Sequence, residues 1–287
     1  MPSIKQVPVT KITVEETVII DDALAVEEPL EIRLEYNNGR LSETKPVSVT
    51  MRTPGNDAEL ATGFLFTEGI IKNASGIQTA EHTFIACAEN KENVITVKLA
   101  DDIVPNLQSA ERNFYTTSSC GVCGKGSINA IRTVSAFADD KNPDISIDAE
   151  LICQLPEILR RQQRVFAETG GLHASALFNL NGELLLIRED VGRHNALDKL
   201  IGAALSKNWL PLNNHILLLS GRASFELVQK AAMAGIKIIA AVGAPSSLAV
   251  ELAAEFDITL AGFLRDRRFN IYTAGHRILI PVHENTH

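Results

Sequence analysis

Alternation of apolar and polar positions dominates the first third of the chain. Lys11 to Ile20 and Leu30 to Tyr36 each alternate with a period of two. The second run meets Asn37-Asn38-Gly39, and Pro46 to Met51 reads as the strand returning from that turn. Asn56 or Asp57 is placed to cap a helix carrying Leu60, Phe64 and Leu65 toward Gly69. Thr83 to Ala88 and Val94 to Leu99 read as two further strands, and the polar stretch Ala100 to Arg112 as a connection. The pattern predicts a smaller β-rich N-terminal domain over residues 1–112.

From Phe114 the pattern changes. A short strand to Thr117 enters the glycine-rich loop Ser118-Ser119-Cys120-Gly121-Val122-Cys123-Gly124-Lys125-Gly126, with a helix expected near Ile128 to Val134. Glu150 to Phe166 reads as a helix broken or kinked at Pro156. His173 to Leu180, Asn181-Gly182 and Glu183 to Ile187 spell a hairpin, and the helix after Gly192 places Ala196, Leu197, Leu200 and Ile201 on one face. Two strand-to-helix units follow. Ile216 to Leu219 passes through Ser220-Gly221-Arg222 into a helix from about Ser224 to Met233. Ile236 to Val242 passes through Gly243-Ala244-Pro245-Ser246-Ser247 into a helix ending near Glu255, and Phe256 to Leu260 reads as a third strand. Apolar strands alternating with helices predict an α/β domain over 113–287, with a partly parallel sheet covered on both faces.

An apolar fraction of 45% supports a core without metal or disulfides. A net charge of −8 argues against a general nucleic-acid binder, whose footprint would be basic. Met1 to Thr10 lacks the pattern of a signal peptide, and the longest apolar run, Ile236 to Ala244, is strand-sized. A cytoplasmic protein without a membrane segment is expected. In a reducing compartment the four cysteines stay thiols unless they do chemistry. Cys87 and Cys153 lie in apolar surroundings and read as small core residues.

Cys120 and Cys123 form the motif, and three chemistries fit its spacing. Two cysteines so spaced supply half of a tetrahedral zinc shell, but Cys87, Cys153, His173 and His194 complete it only through the fold. A dithiol redox centre also suits the spacing, although no thioredoxin-like pattern surrounds it. The third chemistry is a nucleophile that accepts sulfur from a donor persulfide. Gly121, Gly124 and Gly126 give the loop freedom for that, and Lys125 with the following helix start favours a thiolate. Spacing does not choose among the three.

The second half also has features suited to a phosphorylated ligand. Ser220-Gly221-Arg222 and Gly243 to Ser247 each join a strand's C-terminal end to a helix N-terminus, where ligands of α/β sheets bind and free N–H groups favour phosphate. The plainer account makes Ser246 an N-cap and Gly221 a tight turn. Arg265, Arg267 and Arg268 cluster within an acidic chain, and guanidinium forks suit pyrophosphate, although charge runs are more often solvated surface. Glu189-Asp190-Val191-Gly192-Arg193-His194 follows a strand and opens a helix. His194 or Arg193 is in position to reach a ligand and His173 to donate a proton; alternatively His173 is a core histidine and Asp190 a cap.

Thr116-Thr117-Ser118-Ser119-Cys120-Gly121-Val122-Cys123-Gly124 resembles the signature of the FdhD-type formate dehydrogenase accessory sulfurtransferases. The resemblance extends through Thr62 to Ile71, Gly171 to Ala176, Glu189 to Lys199, Ser220 to Glu226, Gly262 to Arg268 and Tyr272-Thr273, in order across roughly residues 50–275. It implies a persulfide carried on Cys120, the first of the pair, with Cys123 beside it. The sulfur would come from a cysteine desulfurase and pass to the bis-guanine-dinucleotide molybdenum cofactor needed by formate dehydrogenase. It implies cofactor binding by Phe263, Leu264, Arg265, Asp266, Arg267 and Arg268, to which the loop Ser220, Gly221 and Arg222 is added from its position. A cytidine-deaminase-like fold and a homodimer are also implied, with no metal of the protein's own. Deaminase chemistry does not carry over, because zinc deaminases place an H-x-E element before their cysteine pair. Here the pair comes first and His173-Ala174-Ser175 lacks the glutamate. The competing function is a non-catalytic cofactor chaperone whose cysteine pair holds zinc or acts as a redox dithiol.

Overall fold

The computed structural model describes residues 2–39, 41–83, 93–101, 103–107, 137 and 144–280. The cysteine loop, the strand and helix expected on either side of it, Cys87 and the boundary at residues 112/113 lie outside the described residues. The described residues form a mixed α/β structure.

The chain opens on a two-stranded ribbon, β1 (Ile4–Ile12) and β2 (Thr17–Ala25). The single strand expected over Lys11 to Ile20 is therefore the turn of a hairpin. Thr13 makes it: its hydroxyl accepts from the Glu15 and Glu16 N–H groups, and its own N–H donates to the Glu16 carbonyl. A threonine turn leaves no glycine or asparagine for a sequence reader to find.

A four-stranded sheet follows, in the order β4 (Ser42–Arg52), β3 (Glu28–Asn37), β6 (Val94–Leu99), β5 (Ile77–His82). The β3–β4 hairpin is the predicted one, and Pro46 sits at a bulge on the edge strand, where its missing N–H costs nothing. The described strand before β6 is Ile77–His82, which the alternation did not mark; the strand expected over Thr83 to Ala88 lies, beyond Thr83, outside the described residues. Helix α1 (Asp57–Thr67) packs on this sheet. Asn56 stands at the expected N-cap position but its side chain makes no capping bond, and Asp57 is instead gripped by the buried Arg52 guanidinium through two contacts, each at 3.0 Å.

The larger sheet has six strands in the order β13 (Arg268–Thr273), β12 (Thr259–Arg265), β11 (Ile238–Ala241), β10 (His215–Leu219), β8 (His173–Asn179), β9 (Leu184–Asp190). Strands β10, β11 and β12 run parallel and the outer pairs antiparallel. β12 starts later than the strand expected at Phe256, because Phe256 and Asp257 close the preceding helix.

Alternation along the strands feeds two cores. Leu217, Leu219, Ile239 and Ala241 face one side, with α4 (Arg193–Ser206), α5 (Phe225–Met233) and α6 (Ser247–Glu255). Ile216, Leu218, Ile238 and Ala240 face the other, where α2 (Ala149–Gln162) supplies Ile152, Leu155 and Leu159. Pro156 is carried inside α2; the break comes at Gln163, before α3 (Arg164–Thr169). A short parallel pair, β7 (Ile147–Asp148) with β14 (Ile278–Leu279), closes that side.

The first core runs without interruption from Leu30, Ile32 and Leu34 of the four-stranded sheet, through α1 and α4, to the six-stranded sheet. Helices α1 and α4 cross at two glycines. A Cβ on Gly63 would overlap the Asp198 carbonyl, and one on Gly202 the Glu59 carbonyl. Backbone meets backbone there, so only glycine fits.

Candidate functional site

The ends of β8 to β12 on one side of the large sheet form a rim. His173 begins β8, Asp190 ends β9, and Arg193 and His194 open α4. The loops Ser220–Ser224 and Gly243–Ser246 follow β10 and β11. Backbone bonds lace these segments together. The Gly243 N–H donates to the Gly221 carbonyl at 2.9 Å, and the Phe263 N–H to the Gly243 carbonyl at 3.0 Å. Ala223 N–H donates to the Ala244 carbonyl, and Ser246 N–H to the Ala223 carbonyl. The structure thus joins two segments that the sequence presented apart, the Ser220 loop and the start of the Phe263 segment.

Glycines floor the rim because side chains press on them. A Cβ on Gly221 would lie 3.2 Å from His173 Nδ1, and one on Gly243 3.0 Å from Arg222. A Cβ on Gly262 would lie 2.9 Å from Pro245 Cδ and 3.2 Å from the Tyr272 ring. Phe263 adopts φ of 55° at a bulge in the β12–β13 ladder. The bulge re-aims the side chains: Phe263 turns outward and Leu264 inward. Leu264 is buried in the second core, so its side chain belongs to packing and not to a ligand surface. Asp266 and Arg267 both have positive φ and make the two-residue hairpin tip, a geometry that glycine or asparagine usually supplies.

Not all of the predicted basic cluster faces the rim loops. Arg267 pairs on the exposed surface with Glu150 of α2 at 2.8 Å. Arg265 and Arg268 face each other across the tip, exposed and without an ion pair among the described residues. Ser220 also does structural work: its hydroxyl accepts from the Ala174 N–H at 2.8 Å, tying β8 to the loop. Ser246 is the N-cap of α6, accepting from the Ala249 N–H.

The acidic and basic residues after β9 divide by burial. Asp190 is fully buried. One oxygen accepts from the Gly192 N–H and the Asn195 amide, the other from the Thr53 N–H and from Lys199 Nζ at 2.7 Å. Asp198 accepts from Thr67 and from Lys230. Glu189 accepts from the Val165 and Phe166 N–H groups at the start of α3. Asp190 is therefore a buried anchor and not the cap of the plainer account, since Gly192 is the N-cap of α4 and no side chain caps it; the motif Glu189 to Lys199 largely holds the helix in place. Arg193 and His194 remain partly accessible, and the buried Arg193 Nε has no hydrogen-bond partner among the described residues.

Both rim histidines are held neutral. Burial, then the Arg193 and Arg222 cations, push His173 below its ordinary value, with Asp190 opposing. Burial, Lys230 and Arg193 bring His194 down to about 4, against Glu226 and Glu68. His194 Nε2 lies 3.5 Å from Ser224 Oγ and 3.8 Å from Glu226. Cys153, the described cysteine, lies in α2 and its thiol is raised by burial. Among the described residues no three His, Cys, Asp or Glu side chains gather as a metal shell, and no helix is long and apolar enough to cross a membrane. Pro245 of the Gly243 loop and the exposed Tyr272 both close on Gly262, a meeting of two segments that spacing in the sequence does not show.

Fold and rim together define a mixed α/β protein whose glycine-floored loops, carrying Arg193 and Arg222, gather at the strand ends of its larger sheet. The model of the FdhD/NarQ family matches residues 25–279, and the chain belongs to that family. It is 53% identical over 261 residues to a protein of Streptomyces avermitilis named sulfur carrier protein FdhD, covering 90% of each chain. It is 50% identical over 273 residues to one of the same name from Mycolicibacterium paratuberculosis, covering 94% of this chain and 97% of that one. Among solved structures it is similar to a putative formate dehydrogenase accessory protein from Desulfotalea psychrophila. That likeness has a TM-score of 0.71 and 27% identity, over 97% of this chain and all of the other.

Proposed function

We propose that this protein is a sulfur carrier that serves formate dehydrogenase by sulfurating its bis-guanine-dinucleotide molybdenum cofactor. The observation that carries the reading is the match to proteins named sulfur carriers over nine-tenths of the chain, joined to a Cys-Gly-Val-Cys motif at 120–123. The Cys120 thiolate attacks the outer sulfur of a persulfide on a cysteine desulfurase. The donor's own thiolate leaves, and the outer sulfur stays on Cys120 as a persulfide. In the second step this sulfur passes to the metal end of the cofactor and Cys120 departs as a thiolate. The electron pair that reduces the sulfane sulfur to sulfide comes from the metal of the acceptor cofactor, which is oxidised by two electrons as Cys120 leaves.

The rim supports the substrate side of the reading. Arg193, Arg222, Arg265 and Arg268 offer guanidinium forks for the phosphates of the dinucleotide arms. Phe263 and Tyr272 offer exposed aromatic faces beside them. Replacing Cys120 by Ala removes the nucleophile and leaves these groups untouched. The expected result is cofactor binding at the wild-type affinity with no sulfur transfer; transfer by Cys120→Ala at the wild-type rate sinks the relay.

A further inference from the structure

One titratable side chain at the rim is set against two permanent cations. His173 opens β8, and its ring lies over Gly221, close enough that a Cβ there would sit 3.2 Å from Nδ1. Arg222 directly follows Gly221, on which the ring lies, and Arg193 opens α4 just after Asp190, the cross-strand partner of His173, so both cations stand at this corner of the rim and disfavour a charged ring. Asp190, its cross-strand neighbour on β9, is the opposing acid. That carboxylate is already occupied by Lys199, Asn195 and the N–H groups of Thr53 and Gly192. In the free protein the imidazole is therefore neutral near pH 7.

A phosphate docked between the two guanidiniums reverses both influences, because it cancels their charge and adds negative charge of its own. We propose that His173 takes up a proton as a phosphate group binds between Arg193 and Arg222, and that it holds the phosphate as an imidazolium donor. This rests on the reading of the rim as the site of the cofactor's phosphates. Binding and protonation are then linked, so phosphate affinity falls as pH rises, by up to about tenfold per pH unit while a full proton is exchanged. His194, the next residue after Arg193, stays out of the exchange. Ser224 and Glu226 lie beside it, and burial and Lys230, ahead of Arg193, bring it down to about 4, so neutralising Arg193 alone is expected to leave it uncharged near pH 7.

Titration calorimetry with inorganic pyrophosphate tests this at pH 7, in two buffers of different ionisation enthalpy. Wild type and His194→Gln are expected to take up close to one proton more than His173→Gln does, which cancels the protonation of the pyrophosphate itself. Wild-type affinity is expected to fall up to about tenfold more than that of His173→Gln between pH 6.5 and 7.5. If His173→Gln loses its fold, the ring resonances of His173 in wild type give the same answer, shifting toward the imidazolium position as pyrophosphate is added. Equal proton uptake in wild type and His173→Gln overturns the inference, as does an unmoved His173 resonance or a wild type that does not bind pyrophosphate. Persulfide formation on Cys120 is scored separately. Sulfur loading without proton uptake removes this inference and leaves the relay; uptake without loading does the reverse.

Discussion

Asp190 and Lys199 meet at 2.7 Å with both side chains out of reach of solvent, and Asn195, Thr53 and Gly192 occupy the remaining valences of the carboxylate. Removing one partner strands a buried charge, so Asp190→Ala is expected to lose about 3–5 kcal/mol of stability. Urea unfolding checks this; a loss under about 1 kcal/mol would show that the pair is not what holds α4 to the first sheet. His194 gives the residue scale a pH signature. Its folded value of about 4 lies below the ordinary 6.5, so the unfolded chain takes up the proton first. Stability is complete above about 6.5 and falls as pH drops toward 4, by at most about 1.4 kcal/mol per unit. His194→Gln should flatten that part of a stability-against-pH curve, and an unchanged slope would mean another group titrates there. These charged residues were visible in the sequence as a motif, yet their division into anchors and accessible groups was not. Spacing says which residues travel together; only packing says that Asp190 and Lys199 point inward while Arg193 and His194 stay within reach.

At the scale of elements, the crossing of α1 and α4 is the contact least tolerant of change. Gly63 and Gly202 each lie against a backbone carbonyl of the other helix, so a methyl group forces the helices apart. Gly63→Ala is expected to destabilise the protein by about 2–4 kcal/mol, by overpacking and loss of neighbouring contacts. Thermal unfolding reads the effect; a melting temperature equal to the wild type would contradict the close crossing. Most of these elements were legible. The hairpins at Asn37-Asn38-Gly39 and Asn181-Gly182 announced themselves through turn residues, and the strand-to-helix units through their apolar runs. The exceptions have local causes. The first ribbon turns on Thr13, and the last hairpin on Asp266 and Arg267, residues that do not advertise a turn. Pro156 marked a helix break that falls instead at Gln163, because α2 packs Leu155 and Leu159 into the core on both sides of the proline's turn.

For the whole molecule, the described loops after β10 and β11 and the start of the Phe263 segment gather at one end of the large sheet's strands, and the proposed division of labour follows. On that proposal the rim and the β12–β13 tip bind the cofactor, and the cysteine loop handles sulfur. Replacing both Arg265 and Arg268 by Ala should weaken cofactor binding at least tenfold without slowing persulfide formation, since exposed guanidiniums contribute contacts to phosphate and nothing to the thiol. Equilibrium binding beside sulfur loading separates the two, and unchanged affinity removes the tip from the site. The joining of Gly221, Gly243 and Phe263 by backbone bonds was out of reach of sequence reading, because long-range register leaves no periodic trace. The central claim remains sulfur acceptance on one cysteine. Intact-protein mass spectrometry after incubation with a cysteine desulfurase and cysteine tests it most directly, on wild type and Cys120→Ala. The account predicts a reducible gain of about one sulfur mass on wild type alone. A gain on both proteins, or on neither, would contradict it.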